Sequence, residues 1–239
     1  MIKDALKYLV GMGKAEIHKE NDQTFSDKQL HLIKKPTAGP FVVNTLSGLV
    51  DYLQSDFDEK YNSDNPFIVH IVSPTEVKVE SPLNNDAGRD YFVKAEALIP
   101  HFLFDSFHDT EEFNIKLQSC FVKNEDRDIM LKVVGNIQED NVKNVKDDGI
   151  SQAVVAKVGV ASVGNVEVPN PVSLAPFRSF VEVDQPVSDF VFRMQNGPRC
   201  ALFESDGGAW KLEAISNIKT YLHLNLTEEI EKGEITIIA

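Results

Sequence analysis

Three groups of residues in this 239-residue chain have the types and spacing on which chemistry could be built. The densest is His101-Phe102-Leu103-Phe104-Asp105-Ser106-Phe107-His108-Asp109. On a helix, His101, Asp105 and His108 would share one face, and two imidazoles with a carboxylate could hold a divalent ion for metal-dependent hydrolysis. The intervening positions are large and apolar, and the run leads into a helix start, so a packed connector with surface histidines is the preferred reading. The second group is Arg178, Arg193 and Arg199, whose forked donors suit phosphate or carboxylate and hence a small, nucleotide-like anion. Internal ion pairs with Glu182, Asp184 or Glu204 are the competing and favoured reading. The third is Glu204-Ser205-Asp206, which could present carboxylates to Mg²⁺, although Asp206 is better placed to shape a turn.

None of these is a catalytic motif. The chain contains no Gly-rich phosphate loop, no G-x-S-x-G, no H-E-x-x-H and no paired cysteine spacing. No catalytic residue is assigned, therefore, and no cofactor is expected. Cys120 and Cys200 are distant in sequence and lie in apolar surroundings, where a cysteine packs as a small hydrophobe, so neither a disulfide nor a cysteine zinc site is expected.

The elements that must position these groups centre on residues 177–226. Phe190, Phe192 and Met194 alternate with Val191, Arg193 and Gln195, the period of a half-buried strand. Asn196-Gly197-Pro198 turns the chain into a second strand from Cys200 to Ser205. Asp206-Gly207 then reads as a second hairpin turn, with Trp210 and Leu212 continuing in a third strand. A helix beginning at Ala209 and capped by Asp206 is the alternative, disfavoured because two consecutive glycines suit a helix's first turns poorly. After Ser216 the spacing of Ile215, Ile218, Leu222 and Leu226 is helical.

Upstream, residues 1–40 read as an N-terminal arm, with a short helix over Asp4 to Val10. The cluster Pro36-Thr37-Ala38-Gly39-Pro40 separates it from one domain over residues 41–239. In that domain Phe41 to Val43 reads as a strand, and Asn44 or Thr45 caps a helix over Leu46 to Leu53. Phe67 to Val72 is apolar enough for a strand covered on both faces. Val77 to Glu80 and Tyr91 to Leu98 pair antiparallel around Asn84 to Gly88. Asp109 with Glu112 makes an Asp-type capping box for a helix carrying Phe113, Leu117 and Phe121, and a second helix spans Asp126 to Val134. Asp147-Asp148-Gly149 marks a hairpin, and the small residues of Ala153 to Val168 suggest strands close to another backbone. Ile235 to Ala239 is predicted as a strand, in the parent sheet or across a subunit boundary of a homo-oligomer. The fold class expected is α+β, a largely antiparallel sheet with three or four packed helices.

Charge limits the partners. The net charge is −13, and residues 41–149 carry ten Lys or Arg against twenty-one Asp or Glu, so nonspecific binding to nucleic acid is not expected. The acidity is either a solubilising surface or a face for a basic partner protein. For the latter the best stretch is Asp56, Phe57, Asp58, Glu59, Tyr61 and Asp64, where apolar anchors sit among acids. No apolar run approaches the ~20 residues that span a bilayer, and the N-terminal segment, with its early acid, does not read as a secretory signal, so a cytoplasmic protein is expected.

Four stretches also carry a resemblance: Thr45-Leu46-Ser47-Gly48-Leu49 to Leu53; the strand Ile68 to Val72; the helix ending Leu117-Gln118-Ser119-Cys120-Phe121; and Leu174-Ala175-Pro176-Phe177-Arg178 through Ala201-Leu202-Phe203-Glu204 to Trp210. Over about residues 41–226 the chain resembles the YfdQ-like family of uncharacterised bacteriophage and prophage proteins. These are packing motifs and transfer no catalytic residue. The resemblance implies a phage gene expressed in the bacterial host cell. With the missing motifs and the acidic middle third, it leads to a non-enzymatic protein that binds a host factor, in an anti-defence or host-takeover role. A small-anion binder or sponge at the arginines, and a metal-dependent hydrolase at His101, Asp105 and His108, are the alternatives.

Overall fold

A computed structural model describes the chain except for residues 1, 12, 14, 21–22, 30–37, 56–65, 85–86, 136–144, 148–151, 159–163 and 196–198. The chain divides into two units, residues 1–38 and 39–239. The first holds a helix, α1 (Ile2–Gly11), and a two-stranded hairpin of β1 (Ile17–Glu20) and β2 (Gln23–Ser26). No side chain of α1 is buried, and Leu6, Leu9 and Val10 stand exposed.

The second unit is α+β. Among the described residues its strands form three sheets instead of one, and the two larger sheets each face a core of their own. The five-stranded sheet is built from β3 (Phe41–Val43), β4 (Phe67–Ser73), β5 (Glu76–Glu80), β6 (Tyr91–Glu96) and β14 (Ile235–Ile238), in the order β14-β4-β5-β6-β3. The hairpins β4-β5 and β5-β6 are antiparallel, whereas β14 and β3 join the two edges in parallel. Alternation sends Val69, Ile71, Val77, Val79, Val93 and Ala95 to one face. There they meet Leu46, Leu49 and Val50 of α2 (Leu46–Gln54) and Ile218 and Leu222 of α5 (Trp210–Asn225). The opposite face is charged: Lys78 pairs with Glu76 at 2.8 Å, and Lys94 bridges Glu76 and Glu96. This corrects the expectation that β4 is covered on both sides. Val72 is 42% exposed, and the apolar run hides a strand with one buried face.

The four-stranded sheet has the order β11-β12-β13-β7, with β11 (Val172–Leu174), β12 (Ser188–Gln195), β13 (Arg199–Glu204) and the two-residue β7 (His108–Asp109). Phe190, Phe192, Met194, Cys200 and Leu202 point from it into a core shared with α3 (Thr110–Cys120) and α4 (Glu125–Gly135). Asp109 caps α3, accepting from the Glu112 N–H at 2.8 Å. A third, antiparallel sheet has the order β10-β9-β8, formed by β8 (Val145–Asp147), β9 (Gln152–Val158) and β10 (Gly164–Glu167). The turns expected at Asn196-Gly197-Pro198 and around Asp148-Gly149 lie outside the described residues.

One element is of the wrong type in the sequence reading. No third strand follows Asp206; α5 begins at Trp210. The glycines do not weaken the helix, because they precede it. Gly207 and Gly208 take φ of 64° and 81°, and the Asp206 carboxylate accepts from the Gly208 N–H at 2.9 Å. Ala214, Ile218, Leu222 and, just past the helix end, Leu226 are buried. Among the described residues the unit thus carries the four helices α2 to α5, as expected, and the five-residue α6 (Thr227–Glu231), which buries no residue. The apolar segment Ile235–Ile238 is a strand of the parent sheet.

Candidate functional site

Of the residues with chemical potential, Arg178 lies in the loop between β11 and β12 and His101 and Asp105 lie in the connector between β6 and β7, while Arg193, Arg199 and Glu204 stand on strands of the four-stranded sheet. The loop, residues 177–185, lacks regular structure, so its backbone groups need partners from side chains. Gln185 supplies them: its Oε1 accepts from the N–H groups of Arg178 (2.9 Å) and Ser179 (3.1 Å), and its Nε2 donates to Phe180 O (2.8 Å) and Val183 O (3.0 Å). Around that brace the loop reaches both cores. Arg178 donates through Nη1 to Glu204 at 2.5 Å and through Nη2 to the Ser188 hydroxyl at 2.6 Å. Its guanidinium lies 3.9 Å from the centroid of the Trp210 ring. Ser179 Oγ donates to Pro74 O in the β4-β5 turn at 2.7 Å, and Phe180 is buried in the core of the five-stranded sheet.

Glu182 then caps α2 from outside its own sequence neighbourhood, accepting from Leu46 N–H and Ser47 N–H, both at 2.8 Å. Thr45 takes the next donor, the Gly48 N–H, at 3.0 Å. Three of the four N–H groups left over at the helix start are thereby satisfied, with the carboxylate at the positive end of the dipole. Glu182→Ala is expected to lower stability by about 1–2 kcal/mol in urea denaturation, with Glu182→Gln losing less.

The arginines do not form one site. Arg178 meets β13 at Glu204, while Arg199 stands at the other end of that strand, roughly 17 Å away at 3.3 Å per residue. Arg199 donates to Phe107 O at 2.6 Å, and Arg193 lies on β12 opposite Ala201. Burial pushes the Arg178 guanidinium down from its ordinary value, against the pull of Glu204 and Asp206. Nη1 and Nη2 face an acid and a hydroxyl of the same chain, so the cation has an internal counter-ion, while Nε is buried without a hydrogen-bond partner.

Glu204 and Asp206 are similarly engaged. Burial alone would raise the Asp206 carboxyl, but hydrogen bonds from the Ser188 hydroxyl and the Gly208 N–H, with Arg178 nearby, hold it below its ordinary value. A depressed carboxyl contributes stability that is complete above the unfolded value of 3.8 and is lost as pH falls through the folded one. Asp206→Asn is therefore expected to flatten the fall of the thermal midpoint below about pH 4. An unchanged acid limb would show that Asp206 contributes nothing to it.

His101, Asp105 and His108 do not share a helical face, because residues 101–107 form no helix. Asp105 is exposed at a φ of 57°, with its N–H donating to Leu202 O at 2.9 Å. His108 is buried, with Nε2 2.9 Å from Leu103 O and Nδ1 3.3 Å from the Glu112 carboxylate. Among the described residues, no three His, Cys, Asp or Glu side chains converge to hold a metal.

The sequence reading missed one juxtaposition. His108 pairs across the strands with Cys200, and with Glu112 beyond it the three residue types match a nucleophile, base and orienting acid. The geometry opposes that chemistry. Burial pushes the Cys200 thiol up to about 12, and both His108 ring nitrogens face other partners. Cys120 and Cys200 are both free and buried, so neither should react with a thiol reagent at pH 8 until denaturant is added. Rapid labelling of native Cys200 would contradict this placement. The signal was in the sequence only as His108 next to a capping box, since the pairing with Cys200 needs the register of β7 on β13.

Asp56, Phe57, Asp58, Glu59, Tyr61 and Asp64 lie outside the described residues. Among the described residues, no helix is long and apolar enough to cross a membrane. Comparisons of the chain with protein families, curated proteins and solved structures return no match.

Proposed function

We propose that this protein acts by binding a basic protein partner and catalyses no reaction. In keeping with the YfdQ-like resemblance, the partner would be a host factor in a bacterial cell that carries the phage gene, and binding would neutralise it. The observation that carries this reading is the charge: −13 overall, with twenty-one acids against ten bases in residues 41–149. Carboxylates at that density attract a basic surface over about one Debye length, ~8 Å in physiological salt, and accelerate encounter more than they deepen affinity. The small-anion alternative is less well supported, because Arg178 already faces Glu204 and Arg199 already donates to Phe107 O.

Affinity capture from bacterial lysate tests the reading, with an unrelated protein of equal net charge as control. A basic protein retained by this chain and not by the control, and released as salt rises, is the expected result. Enrichment equal to the control's would show that the acidity serves solubility alone.

A further inference from the structure

The surroundings of Arg178 hold its guanidinium as a receptor holds a ligand. The guanidinium carbon lies 3.9 Å from the centroid of the Trp210 ring, 5.7 Å from that of Phe190 and 5.9 Å from that of Phe104. Three stretches distant in sequence supply these rings: Phe104 before β7, Phe190 on β12 and Trp210 at the start of α5. Phe104 and Phe190 are stacked, 12° from parallel, so both meet the cation together. Lys211 Nζ is the other cation near the indole, at 5.9 Å.

The polar end of this cage offers acceptors only. Glu204 accepts from Nη1 at 2.5 Å and the Ser188 hydroxyl accepts from Nη2 at 2.6 Å. The Ser188 proton goes to Asp206, so towards Arg178 that hydroxyl presents a lone pair. Asp206 adds a second negative charge near the cation. Ring faces, a carboxylate and a lone pair select a flat cation that carries donors alone, as a guanidinium does. A tetrahedral ammonium has neither the flat face nor the fork of donors.

The grip does not depend on the tether. Nε, the nitrogen that joins the guanidinium to its side chain, is buried and makes no hydrogen bond. Both side-chain hydrogen bonds are made by the free end, where a detached guanidinium has the same donors. The Arg178 side chain is 8% exposed, but Glu204 beside it is 33% exposed, so truncation at 178 opens the cage to small solutes from the Glu204 side.

We infer that Phe104, Phe190, Trp210, Ser188 and Glu204 form a guanidinium-binding site whose resident ligand is Arg178, and that the site accepts a free guanidinium compound once that side chain is removed.

The test is rescue of Arg178→Ala by methylguanidinium, followed through the urea midpoint and through the emission of Trp210, the only tryptophan of the chain. A cation of this size is expected to bind in the millimolar range, so about 50 mM should restore roughly half of the lost midpoint, and the gain should saturate. Methylammonium at the same concentration should restore little. The native sequence and Arg178→Met, in which a side chain fills the cage, should gain nothing. Arg178→Ala with Glu204→Gln should lose most of the rescue. If Arg178→Ala does not fold alone, methylguanidinium should restore native Trp210 emission, and a failure to do so counts against the site. No gain in Arg178→Ala, an equal gain with methylammonium, or an equal gain in the native sequence or Arg178→Met overturns the inference. Undiminished rescue in the variant that lacks the Glu204 carboxylate overturns it as well.

Discussion

Arg178→Ala is expected to destabilise the protein by about 3 kcal/mol, seen as a lower urea midpoint at an unchanged slope. The side chain is 8% exposed, and its partner Glu204 is 33% exposed. Removing one member of a fully buried ion pair costs about 3–5 kcal/mol, because the other charge stays behind without a counter-ion; the water that reaches Glu204 places this pair at the lower end. The truncation also strips one face of the Trp210 ring, over which the guanidinium lies at 3.9 Å. Trp210 is the only tryptophan of the chain, so its emission reports the site directly. Arg178→Met keeps much of the volume and should lose less, and Arg178→Met with Glu204→Gln should recover part of that loss by removing the stranded charge. A midpoint unchanged by Arg178→Ala would mean that the pair is no more than a surface contact.

Phe180→Ala should cost about 3–5 kcal/mol. The ring is 1% exposed and is buried among the strands of the five-stranded sheet, Leu46 and Leu49 of α2, and Ile218 of α5. Its removal leaves a cavity that the side chains of this core, held by two helices and a sheet, can fill only in part. Phe180→Leu, which retains most of the apolar contact, should lose clearly less. Equal losses from the two substitutions would show that the aromatic ring does not fill the space assigned to it.

Local signals made much of this fold legible. Alternation identifies β5 and β12; the loop composition of Asn84 to Gly88 places the returning strand β6; the Asp109-Glu112 pattern identifies the start of α3; and Thr45 is one of two caps proposed for α2. The errors share a cause. Two consecutive glycines were weighed as residues of a helix, whereas they form the turn before it; only the φ values at 207 and 208 distinguish the two. The apolar run of β4 was read as covered on both faces, but its second face is determined by Lys78, Lys94, Glu76 and Glu96 on neighbouring strands. The site was less legible than the fold. Arg178 stood out by residue type, and Glu204 was one of three carboxylates the sequence offered it. That Glu182 caps a helix 135 positions away depends on tertiary placement, as does the docking of Phe180 in the other core. The exposure of Leu98, Ile99 and Leu103 was hidden for the same reason, since their apolar character alone predicts burial.

These observations make residues 177–185 one of the elements that contact both large sheets, and we expect the loop to couple their unfolding. Arg178 faces the four-stranded sheet, while Ser179, Phe180 and Glu182 reach the other sheet and α2. The most direct test is pulsed hydrogen exchange read by mass spectrometry along a urea titration, comparing peptides from β4-β5 with peptides from β12-β13. In the native sequence both sets are expected to lose protection at the same urea concentration, and in Arg178→Ala with Phe180→Ala the two midpoints are expected to separate. Midpoints already separate in the native sequence, or still coincident in the double variant, would contradict the joining role of the loop.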